Sequence, residues 1–432
     1  MPGNLNIFQR VMLQWNDLHP YNAVHVVRLH GPPDLARLRQ AIETSLTNRG
    51  LSVVTLDREH ATYEYHSGGL PVEIRTSAET DTDEVELTAQ IEREINTPFR
   101  IDTPLRPFRF FVVPEGDRFA LGTCYFHPIA DAESMVMLIR GILAAYLGDH
   151  GSGPSRSMDC YPARHDRLLI SRPGLVARKL LALPSDIRRM RHSFRARLCD
   201  ANDLENRFRF VAAGGDVLRT LQASAKTWEV TLHDLLLALL MKALSPLAPN
   251  RTRAHRRRDI SLGSIVNIRN ECGIDRERTF GLFLGAFVVS HPVPDGIPLR
   301  ALAMDIRRQT RRIKQHKLFL AAPLELAFAG RLFAFYSTQR RKLFYHRYHP
   351  LWGGISNMSL DTRWPPDDPA RPLDYFRAVS TGPITPLVLT TTTYDDRMVL
   401  GITYRPTAFA PARITRFQEQ FRAELTNMED GR

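Results

Sequence analysis

Apolar residues in this chain recur with two alternating periods, one near two and one near three and a half. The switches between them outline a mixed α/β protein. Residues 21–29 form a run rich in β-branched side chains that ends at Gly31-Pro32-Pro33, which predicts a strand and a turn. Asp34 then opens a predicted helix to about residue 48, with Leu35, Leu38, Ile42 and Leu46 on one face. Residues 81–96 predict a second helix with acidic residues in its first turn. Residues 108–113 and 119–126 predict a hairpin across Pro114-Glu115-Gly116-Asp117, a turn of about four residues. A helix over 134–147 follows.

Residues 148–165 collect Gly, Ser and Pro and predict a linker. An arginine-rich helical crossover is expected over 168–198, interrupted at Pro173 and Pro184. The α/β alternation then resumes. Helices are expected over 216–226 and 231–245, the second capped by Thr231. Strands are expected over 259–268 and 283–289, then a helix over 299–315. Strands over 375–380, 387–394 and 398–404 and a closing helix over 411–425 complete the pattern.

A chain of 432 residues exceeds what one core of roughly 250–300 residues supports, so two domains are expected. The boundaries read as 1–165, a basic crossover over 166–200, and 201–432. With 43% hydrophobic and 24% charged residues, the composition excludes disordered, collagenous and disulfide-rich classes. No signal peptide and no spanning helix is read. The four cysteines form no CxxC pair and read as reduced thiols, so a cytoplasmic location is expected.

Charge divides the chain unevenly. Residues 1–150 carry 13 Lys+Arg and 20 Asp+Glu, a net of −7; the remainder carries 45 and 26, a net of +19. A basic half attracts acidic partners. The bland reading is a solvated, arginine-rich surface. The crossover could also lie on an anionic membrane, which would place the protein peripherally at the inner membrane face. No zinc-finger, RNA-recognition or basic-zipper signature accompanies the charge, so nucleic acid is not expected as a partner. No HExxH or His/Cys cluster is present, so no metal is expected.

Candidate chemistry lies in Phe126-His127-Pro128-Ile129-Ala130-Asp131-Ala132, where a predicted strand gives way to a helix. A neutral imidazole there is a competent general base. Alone, a His and an Asp at this spacing carry little weight, because a histidine at a strand end is more often structural. Further segments add to it: Leu29-His30-Gly31, then Pro98-Phe99-Arg100 to Pro104-Leu105-Arg106, and Val230-Thr231-Leu232-His233-Asp234-Leu235. Val266-Asn267-Ile268-Arg269, Gly281-Leu282-Phe283-Leu284-Gly285, Ile355-Ser356-Asn357 and Tyr394-Asp395-Asp396-Arg397-Met398 follow in order.

With these segments in this order, the chain resembles the HxxxD acyltransferase superfamily. That superfamily includes condensation domains, wax ester synthase/diacylglycerol acyltransferases and polyketide-associated acyltransferases. The family motif is HHxxxDG. His127 and Asp131 match it, whereas Phe126 stands for the first His and Ala132 for the Gly. The resemblance implies two chloramphenicol-acetyltransferase-like domains, each a mixed sheet with helices, forming a V around a central tunnel.

It also implies a function: transfer of an acyl group from a thioester to a hydroxyl or amine in lipid or secondary-metabolite biosynthesis. His127 would be the general base. Asp131 would be a structural partner of Arg269, and Ser356, Asn357 and Ala132 would line the substrate path. No cofactor would be tightly bound; a coenzyme A or phosphopantetheine thioester would be a co-substrate. The expected partners are an acyl carrier protein or acyl-coenzyme A donor and a small-molecule or lipid acceptor, with the protein a monomer. The alternative is a catalytically silent docking or scaffold protein, motivated by Phe126 and Ala132.

Overall fold

The computed structural model describes residues 2–68, 71–77, 83–101, 104–148, 159–160, 171–248, 251, 256–276, 278–361, 363–365 and 367–429. Most of the expected linker over 148–165, and residues 81–82 of the expected second helix, lie outside them. The chain forms two compact units. The first comprises Met1–Arg167, Asn267–Leu284 and Ser359–Ser380; the second comprises Leu168–Val266, Gly285–Met358 and Thr381–Arg432. The units therefore exchange segments, where the sequence reading had placed contiguous boundaries at 165 and 200. The reason is sheet pairing. Strand Asp374–Val379 pairs along strand Asn22–His30, from Asp374 opposite Arg28 to Val379 opposite Ala23, and so belongs with the first unit.

The main sheet of the first unit runs in the order Asp374–Val379, Asn22–His30, Arg118–Phe126, Phe108–Glu115, Ile74–Thr76. All neighbours are antiparallel except the last pair. The hairpin is tighter than expected. Glu115 pairs with Arg118, so the turn is two residues, Gly116-Asp117, and Gly116 takes φ +68°, which glycine adopts without a Cβ clash. Gly122 serves a different end. A Cβ there would lie 1.9 Å from the Phe111 ring of the paired strand, so its hydrogen lets that ring lie flat across the sheet.

Helices cover both faces of this sheet. Helix Asp83–Asn96 buries Leu87, Ile91 and Ile95, each worth roughly 1.5–3 kcal/mol. It is tied to one face through the Asn22 amide and the Arg109 guanidinium, which both donate to the Glu94 carbonyl in its last turn. On the other face, Tyr146 of helix Ala132–Leu147 packs edge-on against Phe119, 6.2 Å between centroids.

The second unit holds a six-stranded sheet ordered Leu284–His291, Ile260–Asn267, Gly353–Ser359, Leu387–Tyr394, Arg397–Tyr404, Arg207–Ala213. Helix Leu232–Leu244 packs into its core, with every residue from Leu235 to Met241 buried, and Thr231 and Asp234 close its start as a reciprocal capping box. Helix Pro173–His192 departs from expectation, since neither proline interrupts it. Pro173 sits in the first turn, where no donor is needed, and Pro184 lies on the exposed side of a helix that continues to His192.

Among the described residues no single helix is long and apolar enough to cross a membrane. Gly215–Thr227 and Leu232–Leu247 pass that test only as a pair bent by 107°.

Candidate active site

Strand Arg118–Phe126 ends in a single 3-10 turn, His127–Ile129, and helix Ala132–Leu147 begins three residues later. The expected helix start at 134 moves back two residues because Asp131 is the N-cap. Its Oδ1 accepts from the Ser134 backbone N–H at 2.9 Å. Ala132 is then the first helical residue, with no left-handed φ, so a side chain fits there without backbone strain. Phe126 is fully buried against Phe99, with ring centroids 5.9 Å apart.

The His127 ring is partly buried and held on three sides. Tyr21 stacks on it at 5.4 Å and 14°, Tyr125 meets it edge-on at 5.6 Å, and the backbone N–H of His127 donates to the Tyr21 carbonyl. Its Nδ1 lies 3.0 Å from the Ala130 carbonyl oxygen. A carbonyl only accepts, so Nδ1 carries the hydrogen and the Nε2 lone pair is left available. Burial pulls the pKa of His127 below the ordinary histidine value, outweighing the opposing pull of the Ala130 bond and of Asp131. The ring is therefore neutral at neutral pH and presents Nε2 as a base.

Asp131 sits in a different environment. Its Oδ2 accepts from Arg269 Nη1 at 2.5 Å and from the Phe283 backbone N–H at 3.0 Å, and its own N–H donates to the Gly281 carbonyl. Arg269 is wholly buried over the Phe283 ring, 4.3 Å from its centroid, and its Nη2 donates to Ser134 Oγ at 2.7 Å. Ser134 in turn bonds both the N–H and the carbonyl of Gly281. Both carboxylate oxygens of Asp131 are thus committed, and none of these bonds reaches the imidazole. Glu133 extends the cluster by pairing with Arg363 at 2.8 Å and accepting from the Asn267 amide.

His127, Asp131, Ala132 and Arg269 come together in the first unit. Ser356 and Asn357 lie on strand Gly353–Ser359 of the second unit, where Asn357 Oδ1 accepts from Thr391 Oγ1 at 2.6 Å.

The sequence reading missed a polar layer on the sheet face below His127. His25, Tyr125, Tyr375 and Arg377 all lie there. His25 Nδ1 is 2.5 Å from the Tyr375 hydroxyl, and Tyr125 meets the His25 ring edge-on. Burial, with Arg377 and His127 nearby, lowers the pKa of His25 well below the ordinary value, while burial raises those of Tyr125 and Tyr375. Burial, and to a smaller extent the Arg377 cation on this face, disfavour a proton on the His127 imidazole. The signal available in sequence was His25 and Tyr125, polar residues inside otherwise apolar strand runs; Tyr375 and Arg377 lie some 250 residues further along and carried none.

No protein-family model matches the sequence. No curated protein matches it either. Solved structures do match along nearly the whole chain. The first condensation domain of the calcium-dependent antibiotic synthetase, in complex with a substrate analogue, is 16% identical with a TM-score of 0.70, covering 99% of this chain and 97% of that one. The condensation domain of the monacolin K polyketide synthase MokA is 12% identical, with a TM-score of 0.68 and coverage of 99% and 97%. The X-domain from teicoplanin biosynthesis is 18% identical, with a TM-score of 0.61 and coverage of 99% and 95%. The chain therefore has the condensation-domain fold, the two-domain α/β architecture expected from the sequence.

Proposed function

We propose that the protein is an acyltransferase in which His127 is the general base. The observation that carries this reading is the 3.0 Å approach of His127 Nδ1 to the Ala130 carbonyl oxygen, which leaves Nε2 as an acceptor; burial, which lowers the pKa of the ring, favours its neutral form. A hydroxyl or amine at Nε2 would lose its proton as its oxygen or nitrogen attacks a thioester carbonyl. The new C–O or C–N bond forms, the C–S bond breaks, and the proton passes from Nε2 to the departing thiolate. No acyl-enzyme is needed, so no nucleophilic serine or cysteine is required. Cys124 is unsuited to that task, since burial pushes its thiol up to about 12.

Asp131 is a structural residue in this reading. Its carboxylate fixes the start of the motif helix through Arg269, Ser134 and Phe283, and thereby the loop that carries Ala130. The donor is an acyl-coenzyme A or acyl carrier protein thioester, and the acceptor is a small molecule or lipid. Ser356, Asn357 and Ala132 are assigned to substrate contact. The likeness to condensation domains, one of them with a substrate analogue bound, supports this reading at the level of fold.

The test is thiol release and product mass from acyl-coenzyme A and acyl carrier protein thioesters offered with hydroxyl and amine acceptors. Wild type is expected to release thiol and form product, and His127→Ala to do neither. Equal output from both proteins would contradict the reading. A second reading, a silent docking protein, has one specific support: an X-domain of the same fold occurs in complex with OxyB. Absence of turnover with every donor and acceptor, alongside stable capture of a partner enzyme, would favour it.

A further inference from the structure

Two helices of the second unit turn their apolar stripes outward. On Pro173–His192, Leu180, Leu183, Pro184, Ile187, Arg188 and Arg191 follow the spacing i, i+3, i+4, i+7, i+8, i+11 and so share one face. That face is open to solvent, with Leu180 64% exposed and the neighbouring Leu181 82%. On Ala322–Ala334 and its C-cap, Leu324, Phe328, Arg331, Leu332 and Phe335 repeat the pattern at i, i+4, i+7, i+8, i+11. Phe328 is 66% and Phe335 88% exposed. An amphipathic helix of a soluble domain turns such a stripe toward its core. Here the core side is occupied by other residues, and the outer side carries leucine, phenylalanine and arginine.

The charges on these helices are one-sided. Asp186 is the single acid of the first helix and Glu325 of the second, and Lys179 engages both, tying the helices together. Arg178, Arg188, Arg191 and Arg331 remain on exposed positions. A concavity of about 1000 Å³ opens along the first helix, lined by Leu180, Leu183, Ile187, Arg188, Arg191 and Arg256 among others, with no acidic residue among the described residues of its wall. Apolar side chains flanked by arginines, with the acids neutralised, match one kind of surface: acyl chains beneath anionic headgroups.

We propose that the face formed by Pro173–His192 and Ala322–Ala334 docks on an anionic lipid bilayer. Phe328, Phe335, Leu180 and Leu181 enter the headgroup boundary, and the arginines pair with lipid phosphates. The attachment is peripheral. It does not rest on the role assigned to His127.

The test is co-sedimentation of the full chain with vesicles of phosphatidylcholine alone and of phosphatidylcholine mixed with phosphatidylglycerol. The chain is expected to pellet with the mixed vesicles, to stay in solution with the neutral ones, and to be released by high salt. Arg188→Gln/Arg191→Gln is expected to weaken partitioning about thirtyfold. Phe328→Ser/Phe335→Ser is expected to abolish it while its thermal unfolding stays that of wild type, since both rings are exposed. A chain that stays in solution with both vesicles, as one built to dock a protein would, overturns the proposal. So do equal pelleting with both vesicles and either double variant pelleting like wild type.

Discussion

The two units end their central hairpins in the same way and put different residues at the end. In the first, Phe108 pairs with Tyr125 at the open end and Glu115 with Arg118 at the turn. In the second, Leu387 pairs with Tyr404 and Tyr394 with Arg397. The next backbone N–H also finds the same partner, Phe126 bonding the Pro107 carbonyl and Arg405 the Pro386 carbonyl. In this register Phe126 corresponds to Arg405, and His127 to Pro406.

The outcomes diverge from there. Arg405 is buried, its Nε donates to Thr381 Oγ1 and its Nη2 to the Gly382 carbonyl, and burial brings its pKa down to about 10. It closes the strand end with structural hydrogen bonds. In the first unit an apolar Phe126 fills that place, and the residue after it is a neutral imidazole with an unused nitrogen. One hairpin register thus leads to two different strand ends. After Phe126 the chain makes a 3-10 turn over His127–Ile129, whereas the Arg405 carbonyl itself accepts the turn bonds from Ala408 and Phe409.

This comparison can be broken at several points, in order of expected effect. Arg269→Ala leaves the Asp131 carboxylate buried without its counter-ion and should destabilise the protein by about 3–5 kcal/mol in denaturant unfolding. Arg405→Met removes one donor each from the Thr381 hydroxyl and the Gly382 carbonyl, and about 1–3 kcal/mol is expected from the same measurement. Phe126→His places a histidine where the HHxxxDG motif has its first. It buries a polar ring against Phe99, so a loss of about 1–2 kcal/mol should accompany it, with no gain in rate. Tyr21→Leu removes the ring stacked on His127. It should lower kcat about fivefold with KM little changed, as an aromatic pair worth about 1 kcal/mol no longer holds the imidazole. Ala132→Gly should cost less than about 1 kcal/mol, because the first helical residue needs no left-handed φ.

Much of this fold was legible because it is local. The helix over 299–315 and the strand over 387–394 match Leu299–Gln315 and Leu387–Tyr394. Asp34 and Thr231 cap their helices through side-chain bonds, as short polar residues before an apolar period do. What escaped was set by tertiary context. Pro184 looked like a break, but the helix runs through it on an exposed side. The exchange of strand Asp374–Val379 into the first unit is a pairing across some 350 residues, which no local period encodes.

At the site, the resemblance named Arg269, from Val266-Asn267-Ile268-Arg269, as the candidate partner of Asp131; a hydrogen bond joins the two, and Arg269 belongs to the first unit, not the second as expected. The layer of His25, Tyr375 and Arg377 was not visible, because its members meet only when distant strands lie side by side. Ala132 stands where the motif has glycine, a residue used for backbone freedom or close approach, and so motivated the silent alternative. In the structure it is the first residue of a helix, where alanine is at ease.

The most direct test of the account is the pH dependence of acyl transfer by wild type and His127→Ala. A base must be unprotonated to act, and burial lowers the pKa of His127. Wild-type activity should therefore be flat through neutral pH and fall only on acidification below the ordinary histidine value of about 6.5. His127→Ala should be at least about a hundredfold slower at neutral pH and should lose that acid limb. A His127→Ala protein that keeps both the wild-type rate and the wild-type acid limb would contradict it.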